Sequence, residues 1–299
     1  MLPFKLVYHP GYDLNLGEHV FPARKYRLIH DRLLEEHFAR LEDFVEPRPA
    51  SDDDILRVHD AGWMQRLKTG TLSAEEILKL EIPFSTEMVA GVWLATGGSI
   101  LAARNALSER IGFNIGGGFH HAFPAHGEGF CAINDVAVAI RALQHDGSVQ
   151  RVLVVDLDVH HGNGTAAIFA GDSSVLTMSL HQFNNYPSDK PPSVLDIHLR
   201  DDVSDEEYLK RLKDALAVAI SFAPDLIFYL AGADPYREDQ LGGLSLTLDG
   251  LKQRDRLVFE TALARNVPVA VVLAGGYARN IGDTVTIHCN TAQAAKEAL

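Results

Sequence analysis

The sequence predicts an α/β fold: a single domain with a mostly parallel central sheet and helices on both faces. Short apolar runs alternate along the chain with longer helical patterns, an arrangement typical of parallel sheets covered by helices. With 299 residues, of which 46% are hydrophobic, the chain can bury one large core. No internal repeat, low-complexity tract or long linker divides it, so we predict one domain over residues 1–299.

The individual elements follow from this alternation. Buried parallel strands are expected to be short apolar runs, and helices to be longer segments with apolar residues on one face. Segments rich in Pro, Asp and Ser are expected to be loops. The pattern predicts strands over 5–8, 111–115, 152–158, 175–180, 226–230 and 269–273, helices over 84–108, 133–144, 204–221 and 247–265, and loops over 46–54 and 184–194.

Charge and cysteine usage limit the possible partners. The chain has 27 basic and 40 acidic residues, and its net charge of −13 opposes a surface that follows nucleic acid phosphates. Cys131 and Cys289 form no CxxC pattern, so neither a disulfide framework nor a thiolate zinc site is indicated. The apolar stretch over 215–233 is interrupted by polar residues and a proline, and the amino terminus lacks the features of a signal peptide. We therefore expect a cytoplasmic protein with no nucleic acid or membrane partner.

Three short segments carry the residue types of a metal-dependent hydrolytic site. They are 118–124 (Gly-Phe-His-His-Ala-Phe-Pro), 156–162 (Asp-Leu-Asp-Val-His-His-Gly) and 232–235 (Gly-Ala-Asp-Pro). Asp158 and His160 close a predicted buried strand, and side chains two positions apart on a strand point to one face, so both could reach one cation. Each piece alone has an ordinary explanation, such as an Asp that caps a helix. Their co-occurrence favours a site.

These segments resemble the zinc-dependent histone deacetylase family. The resemblance runs from Tyr8 to Asn280 and implies an arginase/deacetylase-like fold. Within the family, the chain looks most like the class IV, histone deacetylase 11-like branch, because of residues 241–246 (Leu-Gly-Gly-Leu-Ser-Leu) and 254–259 (Arg-Asp-Arg-Leu-Val-Phe). The resemblance also includes 128–131 (Glu-Gly-Phe-Cys), 179–181 (Ser-Leu-His) and 275–277 (Gly-Gly-Tyr).

The resemblance implies a role for each matching residue of the metal site. Asp158, His160 and Asp234 would be the zinc ligands, with the remaining coordination left for water and the substrate carbonyl. Iron(II) is an alternative metal, because mixed oxygen and nitrogen ligands do not exclude it. His121 would take the water proton as general base, and His120 would orient the water and carry electrostatic load.

The residues around the histidine pair would tune it. Asp156 could hold His120, and Asn163 could hydrogen-bond His121. Some relatives have a carboxylate at the position of Asn163, and a neutral amide should keep His121 neutral more readily. A simple turn role for Asn163 stays open. Tyr277 would donate a hydrogen bond to the oxyanion of the tetrahedral intermediate.

The family also suggests a substrate passage and a second ion. Gly129 and Phe130 match one wall of the passage, and Tyr186 is a candidate for the opposite wall, although both aromatics also suit an ordinary core. Glu81 has a weak flanking match, and we place it outside the site. A structural potassium ion is implied, largely through backbone oxygens, at Asp156, Asp158, His160, Ser179 and Leu180.

Three other interpretations deserve comparison. Residues 162–167 (Gly-Asn-Gly-Thr-Ala-Ala) mimic a dinucleotide-binding fingerprint, but no acidic residue follows at the expected distance. A binuclear, arginase-like hydrolase would need more bridging carboxylates than Asp234 alone provides. A non-catalytic module that binds acyl compounds or a partner would not need every metal ligand, both histidines and the tyrosine, yet all of them are present here.

The sequence therefore predicts a zinc-dependent deacetylase or deacylase that removes acyl groups from lysine ε-amines. Its substrate is expected to be an acyl-lysine peptide or protein, with acetylpolyamines or other small acyl amines as the alternative. The class IV likeness raises long fatty acyl groups as a further possibility. The oligomeric state is left open.

Overall fold

Eight strands form one sheet in the computed structural model, which describes all 299 residues. Every pair of neighbouring strands is parallel, which confirms the predicted fold class. The spatial order is β2-β1-β3-β8-β7-β4-β5-β6. The strands are β1 (Leu6–Val7), β2 (Phe44–Val45), β3 (Ile111–Asn114), β4 (Val152–Asp156), β5 (Val175–Gln182), β6 (Leu195–Leu199), β7 (Leu226–Leu230) and β8 (Val269–Val272).

Several helices begin at side chains that satisfy their free backbone N–H groups. Ser85, Asn134 and Thr247 each accept a hydrogen bond from the amide three residues ahead. The four predicted helices are present, with ends within two residues of those expected. The helices are α1 (Lys25–Glu35), α2 (Asp52–Ile55), α3 (Ala61–Thr69), α4 (Ala74–Leu80), α5 (Thr86–Glu109), α6 (Asp135–His145), α7 (Asn163–Ile168), α8 (Asp205–Ala219), α9 (Leu248–Ala264) and α10 (Ile281–Glu297).

Apolar side chains cover both faces of the sheet, as the continuous apolar runs of its strands require. On β4, Val152 and Val154 join a core of 18 buried residues that includes parts of α5 and α6. Leu153 and Val155 point the other way into a core of 70 buried residues. Gly112 lets α5 approach the sheet, because a Cβ there would lie 1.8 Å from a backbone oxygen of α5.

α5 is also the one helix long and apolar enough to cross a membrane by length and composition. In its most apolar window, 61% of the residues are buried inside the fold. A helix between the sheet and other helices is expected to be apolar on most sides, so this composition fits a core helix.

Two predictions about the strands were wrong in detail. β4 ends at Asp156, so Asp158 and His160 lie on the following loop and not on a strand face. The amide of Asp158 bonds to Asp156 Oδ1 at 3.2 Å, and the amide of His160 to Asp158 Oδ1 at 3.0 Å. These local bonds replace the ladder bonds of a strand. β6 was not predicted, because its alternating apolar and polar residues are the weak signal of a half-exposed edge strand.

His59 ties the segment between α2 and α3 to the loop that follows the histidine pair. Its Nε2 accepts a hydrogen bond from the amide of Asn134, and its Nδ1–H donates to the carbonyl of Phe123, both at 3.0 Å. The side chain is buried. Burial lowers the pKa of His59 from its ordinary 6.5 to about 4, since a protonated ring would lose the bond from Asn134.

We predict that His59 makes the fold sensitive to acid. Between pH 6.5 and 4 the unfolded chain binds a proton at this ring and the folded chain does not, so acid favours unfolding. In a His59→Gln variant this contribution, up to about 3 kcal/mol, is absent. Urea unfolding of both proteins at pH 7, 5.5 and 4 measures the difference, which should shrink or reverse as pH falls. Parallel stability curves would contradict the prediction.

Candidate active site

The candidate site lies at the carboxyl edge of the sheet, where four neighbouring strands end. These strands are β3, β8, β7 and β4, in that spatial order. The loops after them carry His120 and His121, Tyr277, Asp234, and the segment 158–160, respectively. Catalytic groups of parallel α/β sheets collect at this edge because successive loops meet there. The topology therefore joins four segments that are far apart in sequence.

Asp158, His160 and Asp234 converge on one point. Their candidate ligand atoms all lie within 4.8 Å of one another. His160 Nδ1 is 3.0 Å from Asp158 Oδ1 and 3.4 Å from Asp234 Oδ2. All three side chains are buried. This is the oxygen-oxygen-nitrogen set that a catalytic zinc ion or a similar divalent metal binds, with coordination positions left for other groups.

The surroundings of these three residues fit a cation. Asp234 Oδ2 is buried and has no hydrogen-bond partner. Burial and then the charge of Asp158 raise the pKa of Asp234 to about 7, because two adjacent carboxylates cannot both ionise without a counter-charge. A Cβ on Gly275 would lie 1.9 Å from Asp234 Oδ2, so only glycine leaves room there. The donor set, the unpaired oxygen and the glycine together match a divalent metal site.

His120 and His121 lie beside this cluster and are oriented by different partners. His120 Nδ1 is 2.7 Å from Asp156 Oδ2, and its Nε2 is 3.8 Å from Asp158 Oδ1. His121 Nδ1 is 2.7 Å from Asn163 Oδ1. The two ring centroids are 4.0 Å apart. The structure thus brings each histidine to the partner expected from the sequence.

The two histidines differ in charge because of these partners. Burial lowers the pKa of His120, but the charges of Asp156 and Asp158 outweigh it and raise the pKa to about 9. Burial and then the charge of His120 hold the pKa of His121 well below its usual range. These surroundings favour the protonated form of His120 and the neutral, proton-accepting form of His121.

Sequence reasoning missed the role of Glu128, which appeared there only as part of a matching segment. Asn163 Nδ2 donates to Glu128 Oε1 at 2.6 Å. A carboxylate only accepts hydrogen bonds, so it fixes the orientation of the amide and leaves Asn163 Oδ1 facing His121. His121 must then carry its proton on Nδ1, which leaves Nε2 free to accept one.

A cavity of about 210 Å³ leads to the site. Tyr186 and Phe130 form parts of its walls, and a Cβ on Gly129 would lie 2.8 Å from both His121 and Tyr186. Burial and then the charges of Asp158 and Asp234 raise the pKa of Tyr277, so its phenol stays protonated as a donor. The cavity is lined by Glu81, His121, Gly129, Phe130, His160, Asn185, Tyr186, Leu241 and Tyr277.

Glu81 belongs to this lining, although the sequence analysis placed it outside the site. It ends α4 in a left-handed conformation with φ of 57°, which carries the chain away from the helix axis at the cavity mouth. Burial and then the charge of Glu128 raise the pKa of Glu81. A weak local sequence match could not reveal this position, because it depends on how α4 packs.

Two buried groups behind the site also escaped the sequence analysis. Asp239 Oδ2 accepts from the amide of Tyr277 at 2.6 Å, which holds the loop that carries the phenol. Lys25 Nζ donates to the carbonyl of Ala274 at 2.8 Å. Burial lowers the pKa of Lys25 to about 8, against the opposing effect of Asp234. Neither residue stands out in the sequence, because the burial of a charged side chain is a property of the tertiary fold.

The residues of the expected potassium site lie on β4, on β5 and on the loop after β4. Ser179 is opposite Asp156 in the strand register, and Leu180 follows it. Ser179 Oγ lies 2.9 Å from His181 Nδ1, so its hydroxyl already has one partner.

Comparisons with known proteins show what the whole chain is similar to. The model of the histone deacetylase domain family matches residues 19–292. An uncharacterized protein of Picosynechococcus sp. is 42% identical over 98% of this chain and 99% of its own length. Histone deacetylase 2 of Arabidopsis thaliana is 31% identical over 94% of this chain and 77% of its own length. A probable deacetylase of Methanothermobacter thermautotrophicus is 32% identical over 91% and 85%, respectively.

Two solved structures show the same arginase/deacetylase fold. The HDA15 HD domain has a TM-score of 0.82 and 24% identity, and the match covers 97% of this chain and 90% of that one. An acetylpolyamine aminohydrolase from Burkholderia pseudomallei has a TM-score of 0.81 and 21% identity, and the match covers 98% of both chains. At these identities the likeness establishes the fold alone.

We predict that Asn163 and Glu128 are energetically coupled. In an Asn163→Asp variant a carboxylate oxygen replaces the amide nitrogen that is now 2.6 Å from Glu128 Oε1. Both carboxylates cannot stay ionised, so we expect a loss of about 1–3 kcal/mol in the free energy of unfolding. Adding Glu128→Gln should recover most of this loss, because the new amide can donate to the new carboxylate.

Urea unfolding of the wild type, both single variants and the double variant measures this coupling. The Glu128→Gln single variant is the matched control, because it removes the negative charge and keeps the size of the side chain. Additive effects, with a coupling free energy below about 0.3 kcal/mol, would show that the two residues act independently.

Proposed function

The chain belongs to the histone deacetylase family, and from that premise we propose that it is a zinc-dependent deacetylase acting on lysine ε-amines. The family assignment and the relatives indicate a deacetylase, that is, an amidohydrolase of acyl amines whose relatives use a metal ion. The choice of zinc and of lysine goes further. One observation carries it: a buried Asp-His-Asp cluster lies beside two histidines, of which one contacts a carboxylate and the other a neutral amide, and His121 and His160 line one cavity.

Zinc is the proposed metal, and iron(II) is the alternative with the same ligand types. Asp158, His160 and Asp234 would hold it. When bound, such an ion supplies Lewis-acid polarisation of the amide carbonyl and lowers the pKa of water. Two carboxylates among the ligands weaken that second effect relative to neutral ligands, so a protein base is needed.

The chain's own residues would move the proton. His121 Nε2 accepts a proton from the attacking water, and the same nitrogen then returns it to the leaving amine as the C–N bond breaks. His120, whose surroundings favour its protonated form, stabilises the negative charge that develops beside it. The phenol of Tyr277 donates a hydrogen bond to the oxygen of the former carbonyl. Each group is a donor or acceptor in the state that its surroundings favour.

The acyl group is proposed to be short. A small cavity of about 20 Å³ lies among Gly118, His120, Asp158, Gly275 and Tyr277. That volume holds about one water-sized group, which suits the methyl of an acetyl group. A long fatty acyl chain would require the surrounding segments to move. The class IV likeness is itself part of this proposal, and we do not infer fatty acyl substrates from it.

The amine part of the substrate is less closely constrained by the cavity than the acyl part. Flat aromatic walls at Phe130 and Tyr186 suit the methylene stem of lysine. Glu81 at the mouth suits either a peptide backbone amide or a second amine, and a second amine would make an acetylpolyamine the substrate. We retain acetylpolyamines as the second candidate because of this carboxylate. A cytoplasmic location and a structural potassium ion at Asp156, Asp158, His160, Ser179 and Leu180 are also parts of the proposal.

We predict that Tyr277→Phe lowers kcat by about 10²–10³ and leaves the metal content unchanged. The change removes one hydroxyl that donates in the transition state and touches none of the three proposed ligands. Turnover of an acetyl-lysine peptide and elemental analysis test the two halves separately. Tyr236→Phe, another buried phenol outside the cavity lining, is the control. Nearly full turnover in Tyr277→Phe would exclude the proposed donor role.

We predict that Glu81→Gln distinguishes the two substrate classes. The amide still accepts a hydrogen bond from a peptide N–H but no longer attracts a cationic amine. If an acetylpolyamine is the substrate, kcat/KM for it should fall about threefold to fivefold, as expected for an exposed ion pair. For an acetyl-lysine peptide it should change less than twofold.

The comparison also includes octanoyl- and myristoyl-lysine peptides, with and without a zinc chelator. Acetyl substrates should be the fastest and chelator should abolish turnover. Faster hydrolysis of a fatty acyl peptide would overturn the proposed preference for short chains. Failure to turn over any of these amides would favour a non-catalytic binding module.

A further inference from the structure

A second cluster of histidines lies at the edge of the sheet, separate from the ligand triad of the active site. β5 and β6 pair in parallel, with His181 opposite His198 and Ser179 opposite Asp196. Residues two apart on a strand share a face, so these four side chains form one patch. His161, on the loop after β4, points its Nε2 at the same patch. We propose that His161, His181, Asp196 and His198 form a second zinc-class metal site.

The distances between the side-chain atoms fit tetrahedral coordination. His161 Nε2 and Asp196 Oδ1 are 3.2 Å apart, and His181 Nε2 and His198 Nδ1 are 3.0 Å apart. Zinc-to-nitrogen and zinc-to-oxygen bonds of about 2.0–2.1 Å place two tetrahedral ligands about 3.3 Å from each other. The ligand atoms of His161, His181 and Asp196 all lie within 4.8 Å of one another, whereas His198 lies outside this group of three and places its Nδ1 against His181 Nε2 alone.

A network of hydrogen bonds alone does not account for this arrangement. Asp196 Oδ2 accepts from the amide of Ser193 at 2.9 Å. Its other oxygen, Oδ1, is buried and has no hydrogen-bond partner, although it lies 3.2 Å from His161 Nε2. That nitrogen instead contacts Ser193 Oγ at 3.3 Å. An unpaired carboxylate oxygen beside an imidazole nitrogen leaves a place for a shared ion. The backbone of Ser193 holds the carboxylate in the orientation that points Oδ1 inward.

The second nitrogen of His181 is positioned as in established metal sites. Its Nδ1 lies 2.9 Å from Ser179 Oγ. Metal-binding histidines usually donate their other ring N–H to an oxygen, which fixes the tautomer and leaves the ligand nitrogen unprotonated. A neutral imidazole is the form that binds metal.

The ligand set indicates the class of ion and its route of entry. Three imidazoles and one carboxylate, with no thiolate, suit zinc and neighbouring divalent ions such as cobalt, nickel and copper. His161 and His181 are fully buried, whereas His198 is exposed on the edge strand. An ion can thus enter from solvent. Lys190 is the nearby cation, and its Nζ is engaged by the carbonyls of Asn185 and Pro187.

The proposed site would tie together parts of the chain that form the cavity. β5 and β6 flank the segment 183–194, which carries Tyr186 of the cavity wall. His161 directly follows His160 of the candidate active site. A metal bound to both strands and to His161 would therefore anchor this segment beside the cavity. The role is structural, since none of the four side chains lines the cavity.

Metal stoichiometry tests this proposal without reference to activity. The protein is freed of metal with a chelator, titrated with ZnCl2 and analysed for bound zinc. We expect two equivalents per chain in the wild type and one in the Asp196→Asn/His198→Gln variant, which keeps side chains of similar size. The His160→Ala variant should also keep one equivalent. His145→Gln, an exposed histidine outside the cluster, should keep both.

Cobalt(II) assigns the second equivalent to these residues. In the His160→Ala background, one equivalent of CoCl2 should give the visible absorption of tetrahedral cobalt, and further addition of Asp196→Asn should abolish it. Circular dichroism checks that each variant is folded. The His198→Gln change alone, at an exposed position, should weaken cobalt binding at least tenfold. A single equivalent that His160→Ala removes and Asp196→Asn/His198→Gln retains would overturn the proposal. A single equivalent that His160→Ala retains and Asp196→Asn/His198→Gln removes would instead contradict the proposed active-site metal.

Discussion

The burial of two carboxylates side by side is the constraint on which the rest of the site depends. Two unit charges 4 Å apart repel by about 4 kcal/mol near a protein surface and by more in the interior. Asp158 and Asp234 are both buried and share one imidazole neighbour, His160. Such a pair is stable only where donors and positive charge surround it. Several otherwise unrelated features of the chain supply them.

Backbone amides provide the first part of this compensation. Gly275 N donates to Asp158 Oδ2 at 2.7 Å, and Val159 N donates to Asp234 Oδ1 at 2.9 Å. Both donors come from loops that leave β8 and β4, the parallel strands on either side of β7, so the sheet topology itself delivers them. Behind the loop after β7, the buried Arg254 donates to the carbonyl of Gly232 and pairs with its neighbour Asp255. The oxygen left without a donor, Asp234 Oδ2, points to the place where a cation completes the set.

The sequence predicts the parts of this site that local patterns encode. Apolar runs revealed most of the sheet, and the segment 156–162 identified Asp158 and His160, although the strand ends before them. What it did not predict depends on long-range packing. Glu128 reaches Asn163 across 35 positions, and Lys25 reaches Ala274 across 249. A carboxylate or an ammonium gives no sequence signal of its burial, because its partner is chosen by the fold. The same holds for β6. Its histidine and aspartate join a cluster of polar side chains only because β6 pairs with β5.

Glu128 also explains how a histidine backed by a neutral amide can serve as a base. A carboxylate in direct contact would stabilise the imidazolium strongly, and an isolated amide would leave its own orientation open. Here the carboxylate of Glu128 contacts the amide and not the imidazole. It orients the amide and affects His121 only through that amide. Lys79 pairs with Glu128 at 3.0 Å, and Tyr186 donates to it at 3.3 Å. The group that fixes the tautomer of the base therefore also positions a wall of the cavity, so a substrate that displaces Tyr186 changes the surroundings of the proton acceptor as it binds.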